Sequence, residues 1–335
     1  MAGARCAGSG GVRTAAPPRR LCSVIAKAQG DNPLGSAWAV RRMLALELEL
    51  PWPEDFFASR AFPESLGETL GTLWSDQPET GMLAFAPDRA HAVPGMTRVI
   101  DFRYPDPPHA AAERHEYLVP TAQVGTFLPR LFVSDPLAAQ IAGAEPVEFA
   151  GRDLFVCTHG TVDACCAKFG FPLYRELHRI ATEVDDRVRV WRSTHFGGHR
   201  FAATLIDFPE GRYWGFMTPA LGRSLIARKG DVADLSGAYR GWAGYASVPA
   251  QHLEGEILRR EGWAWTAWPQ QVEILDASGP GEVSLRLTAF PPGSRAIIYE
   301  GVVAETGVRQ VLHATDGELE GEMQYEVRDP RRVAE

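Results

Sequence analysis

Cys157, Cys166, His195 and His199 are the residues of this 335-residue chain whose types and spacing suit metal chemistry. They stand in Cys157-Thr-His-Gly-Thr-Val-Asp-Ala-Cys-Cys166 and His195-Phe-Gly-Gly-His199. Thiolates are soft donors and imidazole suits iron and zinc. Two of each make a complete four-donor set for an iron–sulfur cluster or a zinc ion. The eight residues between the two cysteines form a turn-prone loop long enough to fold back on a metal. His195 and His199 have the i, i+4 spacing of a helical zinc-protease motif, but no Glu follows the first His. Gly197 and Gly198 would each cost such a helix about 1 kcal/mol. A loop wrapped around one edge of a metal is the better expectation.

The neighbouring residues offer alternatives. Cys165 competes with Cys166, and His159 is a third imidazole. Packing is expected for Cys165, and for His159 a hydrogen bond that supports a ligand. Asp163 suits a turn cap, and His178 a solvated place on a helix. A Cys165–Cys166 disulfide is disfavoured, because adjacent cysteines rarely reach good geometry and no Cys-x-x-Cys is present. Cys6 and Cys22 read as incidental. Five cysteines in a chain of this length make no disulfide framework, and three within ten positions favour metal or redox chemistry.

The elements that must deliver these residues are legible in outline. Leu154–Val156 reads as a buried strand ending at Cys157. Gly170-Phe-Pro172 opens a helix whose apolar positions are Leu173, Leu177, Ile180, Ala181 and Val184. Val188–Trp191 is a strand leading to His195, Phe201–Phe208 and Arg212–Met217 are strands, and Ala220–Lys229 is helical. Upstream, strands are expected at Arg42–Leu48, Met82–Phe85, Thr97–Phe102 and Glu116–Val119. Helices are expected at Glu64–Trp74 and over Val124–Ala142, the latter interrupted by Pro129 and Pro136. Downstream, strands are expected at Val272–Leu275, Val283–Phe290, Ala296–Val303, Gln310–Ala314 and Met323–Val327. Trp263, Trp265 and Trp268 suit packing between lobes better than a docking surface. No internal repeat is detectable.

This divides the chain into a disordered tail (1–20), an N-terminal α/β lobe (21–148), a metal-bearing unit (149–260) and a β-rich extension (261–335). The order β-α-β-β-β-α of the third part is similar to a thioredoxin-like unit, with the donors on loops at one end of its sheet.

At its central motifs the chain resembles the sucrase/ferredoxin-like family, whose members carry a thioredoxin-like ferredoxin domain. The matching text is Cys157 to Gly170, Trp191-Arg-Ser-Thr-His-Phe-Gly-Gly-His-Arg-Phe-Ala202, Pro209-Glu-Gly-Arg-Tyr-Trp-Gly215 and Tyr239-Arg-Gly241. Cys22–Ala39 and Glu47–Trp52 fit more loosely, and the likeness spans roughly residues 20–260. The resemblance implies an α/β fold with a [2Fe–2S] cluster held by Cys157, Cys166, His195 and His199, in the manner of the family's His-ligated branch. It implies one-electron transfer with an unknown redox partner protein. Two neutral imidazoles in place of thiolates would raise the potential above that of an all-cysteine ferredoxin and link it to pH. A Cys₂His₂ zinc site with a structural or hydrolytic role is the alternative. Glycoside hydrolysis needs a positioned carboxylate pair, and no segment singles one out, so a redox carrier is a better expectation than a hydrolase.

Composition agrees with a soluble, well-packed protein. The apolar fraction is 45%, with nine tryptophans. A net charge of −8, with no basic stripe, argues against nucleic acid as a partner. No run approaches the roughly 18 apolar residues of a membrane span. The first 20 residues carry Arg5, Arg13, Arg19 and Arg20 without an acid, loosely like an organellar transit peptide. They lack an export signal's apolar stretch, and a cytoplasmic location is expected. Arg192 and Arg200 flank the histidine loop and read as charges that either steer an acidic partner or sit solvated.

Overall fold

The computed structural model describes residues 19–62 and 66–333. The expected tail therefore lies almost wholly outside the described residues, as do Cys6 and Glu64. The first half of the chain holds α1 (Cys22–Gln29), β1 (Arg42–Glu47), α2 (Leu66–Ser75), β2 (Thr80–Phe85), β3 (Met96–Arg103), β4 (Glu113–Pro120), α3 (Val124–Phe132), α4 (Ala138–Ala142) and β5 (Glu145–Val147). The next part holds β6 (Arg152–Cys157), α5 (Phe171–Val184), β7 (Val188–Ser193), β8 (Leu205–Phe208), β9 (Arg212–Trp214), α6 (Pro219–Ala227), β10 (Tyr239–Trp242) and α7 (Val248–Glu261). The last part holds β11 (Gln270–Asp276), β12 (Glu282–Ala289), β13 (Ile297–Leu312) and β14 (Leu319–Val333). The protein is a mixed α/β structure.

Strands β1 to β10 form one mixed sheet in the order β10-β9-β8-β6-β7-β2-β1-β3-β4-β5. All six residues of β1 are buried. Met43 and Ala45 join one apolar core, while Leu44 and Leu46 join the other, so the strand is covered on both faces. The two halves of the sheet share one connection plan. In the first, β1 pairs parallel with β2 and antiparallel with β3, and β3 pairs antiparallel with β4. In the second, β6 pairs parallel with β7 and antiparallel with β8, and β8 pairs antiparallel with β9. A helix joins each parallel pair. The repeat is one of topology, which the sequence does not display.

The halves meet where β2 and β7 run antiparallel at their ends, Phe85 opposite Ser193. Ala86 N–H donates to Arg192 O (2.9 Å), and Thr194 N–H to Ala84 O (2.8 Å). A buried ion cluster reinforces the junction. Glu116 of β4 takes Arg98, Arg114 and Arg189, while Asp153 of β6 takes Arg189 (2.8 Å), Arg114 (3.0 Å) and the Trp191 indole (2.8 Å).

Several expectations need correction. Phe201–Phe208 is not one strand: His199–Phe201 is a turn of 3-10 helix, and β8 begins only at Leu205. The Arg212–Met217 strand ends at Trp214. The expected Ala296–Val303 and Gln310–Ala314 strands merge into a single strand, β13, which pairs with the long β14 from Ile298 to Leu312 with two irregularities. Pro129 lies inside α3 rather than ending it. Helix α7 was not anticipated. Ser247 caps it by accepting from Ala250 N–H, and Pro249 sits in its first turn. The β-rich extension is a four-stranded antiparallel sheet, β11-β12-β13-β14, as expected. The tryptophans before it pack internally: Trp265 is buried and donates to Glu254, and Trp263 lies against Trp214.

Candidate metal centre

Register places the donors. Cys157, the last residue of β6, is opposite Ser193, the last residue of β7. Two residues further on, His195 therefore reaches the same end of the parallel pair. The 158–165 loop then returns to Cys166, which starts a turn of π-helix leading into α5. Cys166 N–H donates to Asp163 O (3.1 Å), and Thr158 N–H donates to Ser193 O (3.0 Å). Gly170 must be glycine, since a Cβ there would overlap the Cys157 carbonyl.

His195 Nδ1 lies 3.6 Å from Cys157 Sγ and 3.6 Å from Cys166 Sγ. The three donor atoms all fall within 4.8 Å of one another. Both thiols are buried, and His195 is partly buried. His199 stands one ring further out. Its ring lies against that of His195, centroids 5.1 Å apart and planes 20° apart, and its buried Nδ1 has no hydrogen-bond partner. Three of the four expected donors thus converge, and the fourth carries an unpaired ring nitrogen beside them.

The electrostatics favour a charged thiolate. Burial opposes ionisation of Cys157, but hydrogen bonding to Cys166 and His195 outweighs it and holds the thiol well below its usual range. Cys166 shifts the opposite way, because it shares that hydrogen bond as the protonated partner and is itself buried. Burial, with His195 nearby, lowers His199 and keeps its ring neutral. A soft anionic sulfur beside imidazole nitrogens is the donor chemistry of iron–sulfur and zinc sites, and the residues present fit either.

The supporting residues divide as follows. His159 does not aim at the centre: its Nδ1 accepts from His195 N–H (3.2 Å), and its Nε2 bonds Pro53 O (2.8 Å). Trp52 packs edge-on against that imidazole and accepts from the Thr161 hydroxyl (3.1 Å), so the first half of the chain covers the ligand loop. Asp163 does cap the loop, accepting from Cys165 N–H (2.7 Å). It also accepts from Thr315 N–H and hydroxyl (2.8 Å each), which draws the β13–β14 turn onto the site. Cys165 is packed, and Cys22 is not incidental: their sulfurs are 3.5 Å apart. His178 pairs with Asp88 (3.3 Å) on the surface of α5.

Arg240, within Tyr239-Arg-Gly241, is the residue whose role the sequence left open. Its guanidinium is buried and donates to Gly197 O (3.0 Å) and to Ser36 O (2.7 Å) and Oγ (3.0 Å). It therefore fixes the histidine loop to the segment after α1. Burial brings Arg240 down to about 10, opposed by Tyr213 and Cys157. Gly197 and Gly198 both have positive φ, and a Cβ on Gly198 would strike that guanidinium. Gly198→Ala is expected to cost about 1–3 kcal/mol through backbone strain and the collision. Gly71→Ala, in an open stretch of α2, should stabilise by up to about 1 kcal/mol. Equilibrium denaturation of the two variants checks this; equal effects would contradict it.

Arg200 corrects the steering expectation. It is buried and paired with Asp31 (3.2 Å) and Glu322, so it is neither solvated nor free to meet a partner. Arg192 lies over the Phe171 ring at 4.8 Å. A cavity of about 710 Å³ opens on the imidazole side, lined by His195, His199, Arg240, His313 and Glu322 among others. No described helix is long and apolar enough to cross a membrane.

Comparison with known proteins agrees with the motifs. Residues 33–241 match the sucrase/ferredoxin-like family, more than half of the chain, and the protein belongs to that family. It is also similar to Altered inheritance of mitochondria protein 32 of Meyerozyma guilliermondii, at 28% identity over 113 residues. That match covers 31% of this chain and 39% of the relative, well under two thirds of the relative's length. No solved structure matches.

Proposed function

We propose that this chain is an electron-transfer protein holding a [2Fe–2S] cluster through Cys157, Cys166, His195 and His199 in a thioredoxin-like unit. The observation that carries the reading is the meeting of two buried thiols and His195 at the end of one parallel strand pair, with the unpaired Nδ1 of His199 alongside. The parallel β6–β7 pair, its crossover helix and the antiparallel β8–β9 hairpin support the thioredoxin-like description. Such a cluster, when bound, takes up and returns one electron.

The chain's own residues set the conditions. Burial of Cys157 and Cys166 keeps water from the sulfur side. His159 and Arg240 hold the histidine loop by its backbone, so both imidazoles stay on the cavity side. That side is the route to a redox partner protein.

Anaerobic purification with iron, sulfide and zinc analysis, and EPR of the reduced sample, tests the reading. About two irons and two sulfides per chain are expected. A second reading has one observation in its favour: three donors within 4.8 Å suit a single tetrahedral zinc with His199 as fourth ligand. A colourless protein with one zinc would establish that reading and exclude the first.

Arg240→Gln checks the positioning argument. Loss of the loop's anchor is expected to lower metal affinity about 10–100-fold. Chelator competition measures it, and unchanged retention would show that the loop does not depend on Arg240.

A further inference from the structure

Cys22 and Cys165 lie outside the candidate donor set, yet their sulfurs touch at 3.5 Å although 143 positions separate them in the chain. Both are fully buried. The Thr315 hydroxyl lies 3.3 Å from Cys165 Sγ and 3.5 Å from Cys22 Sγ. Three remote segments meet at this point: the start of α1, the ligand loop and the β13–β14 turn.

We propose that Cys22 and Cys165 are an oxidation site, closing to a reversible disulfide when the chain meets a small hydroperoxide. The sulfurs are already in contact, and bond formation closes their separation from 3.5 Å to about 2.05 Å. Phe169 and Ala202 pack beside the pair and also line a cleft of about 560 Å³ together with Ser23. Neither sulfur lines that cleft, so a small oxidant reaches the pair through local opening at Phe169 and Ala202.

In the first step one thiol sulfur attacks the hydroperoxide. The O–O bond breaks, an S–O bond forms, and water leaves with the thiol proton. In the second step the other thiol attacks that sulfur. The S–O bond breaks, the S–S bond forms, and a second water carries away the remaining proton. Two thiols lose two electrons and two protons, and one hydrogen peroxide becomes two waters. The bond ties α1 to the residue next to Cys166.

The same side chains do not read as a second metal site. Asp163 Oδ1 is engaged by Cys165 N–H and the Thr315 hydroxyl, and Oδ2 by Thr315 N–H.

The test uses the full chain as purified, treated with hydrogen peroxide, alkylated under denaturing conditions and digested without reductant. Mass spectrometry is expected to find a Cys22–Cys165 linked peptide two hydrogens lighter than the separate thiol peptides. It should disappear with dithiothreitol, persist in Cys6→Ser and be absent in Cys22→Ser. Recovery of Cys22 and Cys165 as alkylated thiols would overturn the proposal, as would a Cys157–Cys166 link in their place. A bound zinc that Cys22→Ser alone removes would also overturn it, in favour of a metal site. Iron measured on the same sample reports separately on the cluster reading.

Discussion

Cys157→Ser, Cys166→Ser, His195→Ala and His199→Ala are each expected to remove the visible and EPR spectrum and to lower bound iron at least about tenfold. Cys165→Ser should leave both intact. The contrast rests on geometry. Cys166 Sγ meets His195 Nδ1 at 3.6 Å, whereas Cys165 Sγ turns away to Cys22 and Thr315. His199 is the sharpest case because its buried Nδ1 has no hydrogen-bond partner. His199→Ala should therefore shift the stability of the metal-free chain by only about 1 kcal/mol while abolishing the spectrum. If Cys165→Ser destroys the centre and Cys166→Ser spares it, the ligand assignment is wrong.

Asp153→Asn is expected to destabilise the fold by about 3–5 kcal/mol, because it leaves buried arginines uncompensated. Asp153 is fully buried on β6 beneath Arg189 and Arg114. Glu116, also buried, is then the carboxylate left ion-paired to both among the described residues. Burial alone would raise the Asp153 carboxyl, but Arg189 and Arg114 outweigh it and hold its pKa below the ordinary value. A depressed folded pKa stabilises at pH above the unfolded value of about 3.9. That stabilisation is lost as pH falls through the lower folded value. The midpoint of denaturant unfolding should therefore drop at pH 7 in Asp153→Asn, and the gap from wild type should narrow in acid. A gap that stays constant down to strongly acidic pH would show that the lost stability is not ionic.

Legibility differed by residue. The Cys157 and His195 motifs were readable because soft donors at short spacing are rare and chemically specific. Strands such as β1 and β6 were readable because buried strands demand apolar runs. The shared plan of the two half-sheets was not, since pairing order constrains burial and crossover length but not residue identity. Glu47 ends β1 where Cys157 ends β6, so chemistry at one position carries no trace of the other. Arg200 misled because an arginine beside a ligand loop reads the same whether exposed or, as here, enclosed by Asp31 and Glu322. Helix α7 left a readable sign, Ser247 followed by Pro249, that its weak apolar periodicity masked.

By itself the sequence determined the candidate donor residues, the loops that carry them and the family to which the chain belongs, because these depend on residues near one another in the chain. Only the tertiary structure decided that Arg240 clamps the histidine loop, that Trp52 and Pro53 cover His159, and that Cys22 meets Cys165. Those contacts join segments separated by 43 to 143 positions. Sheet order and helix packing bring them together, and no local pattern encodes which distant partner a buried side chain will find.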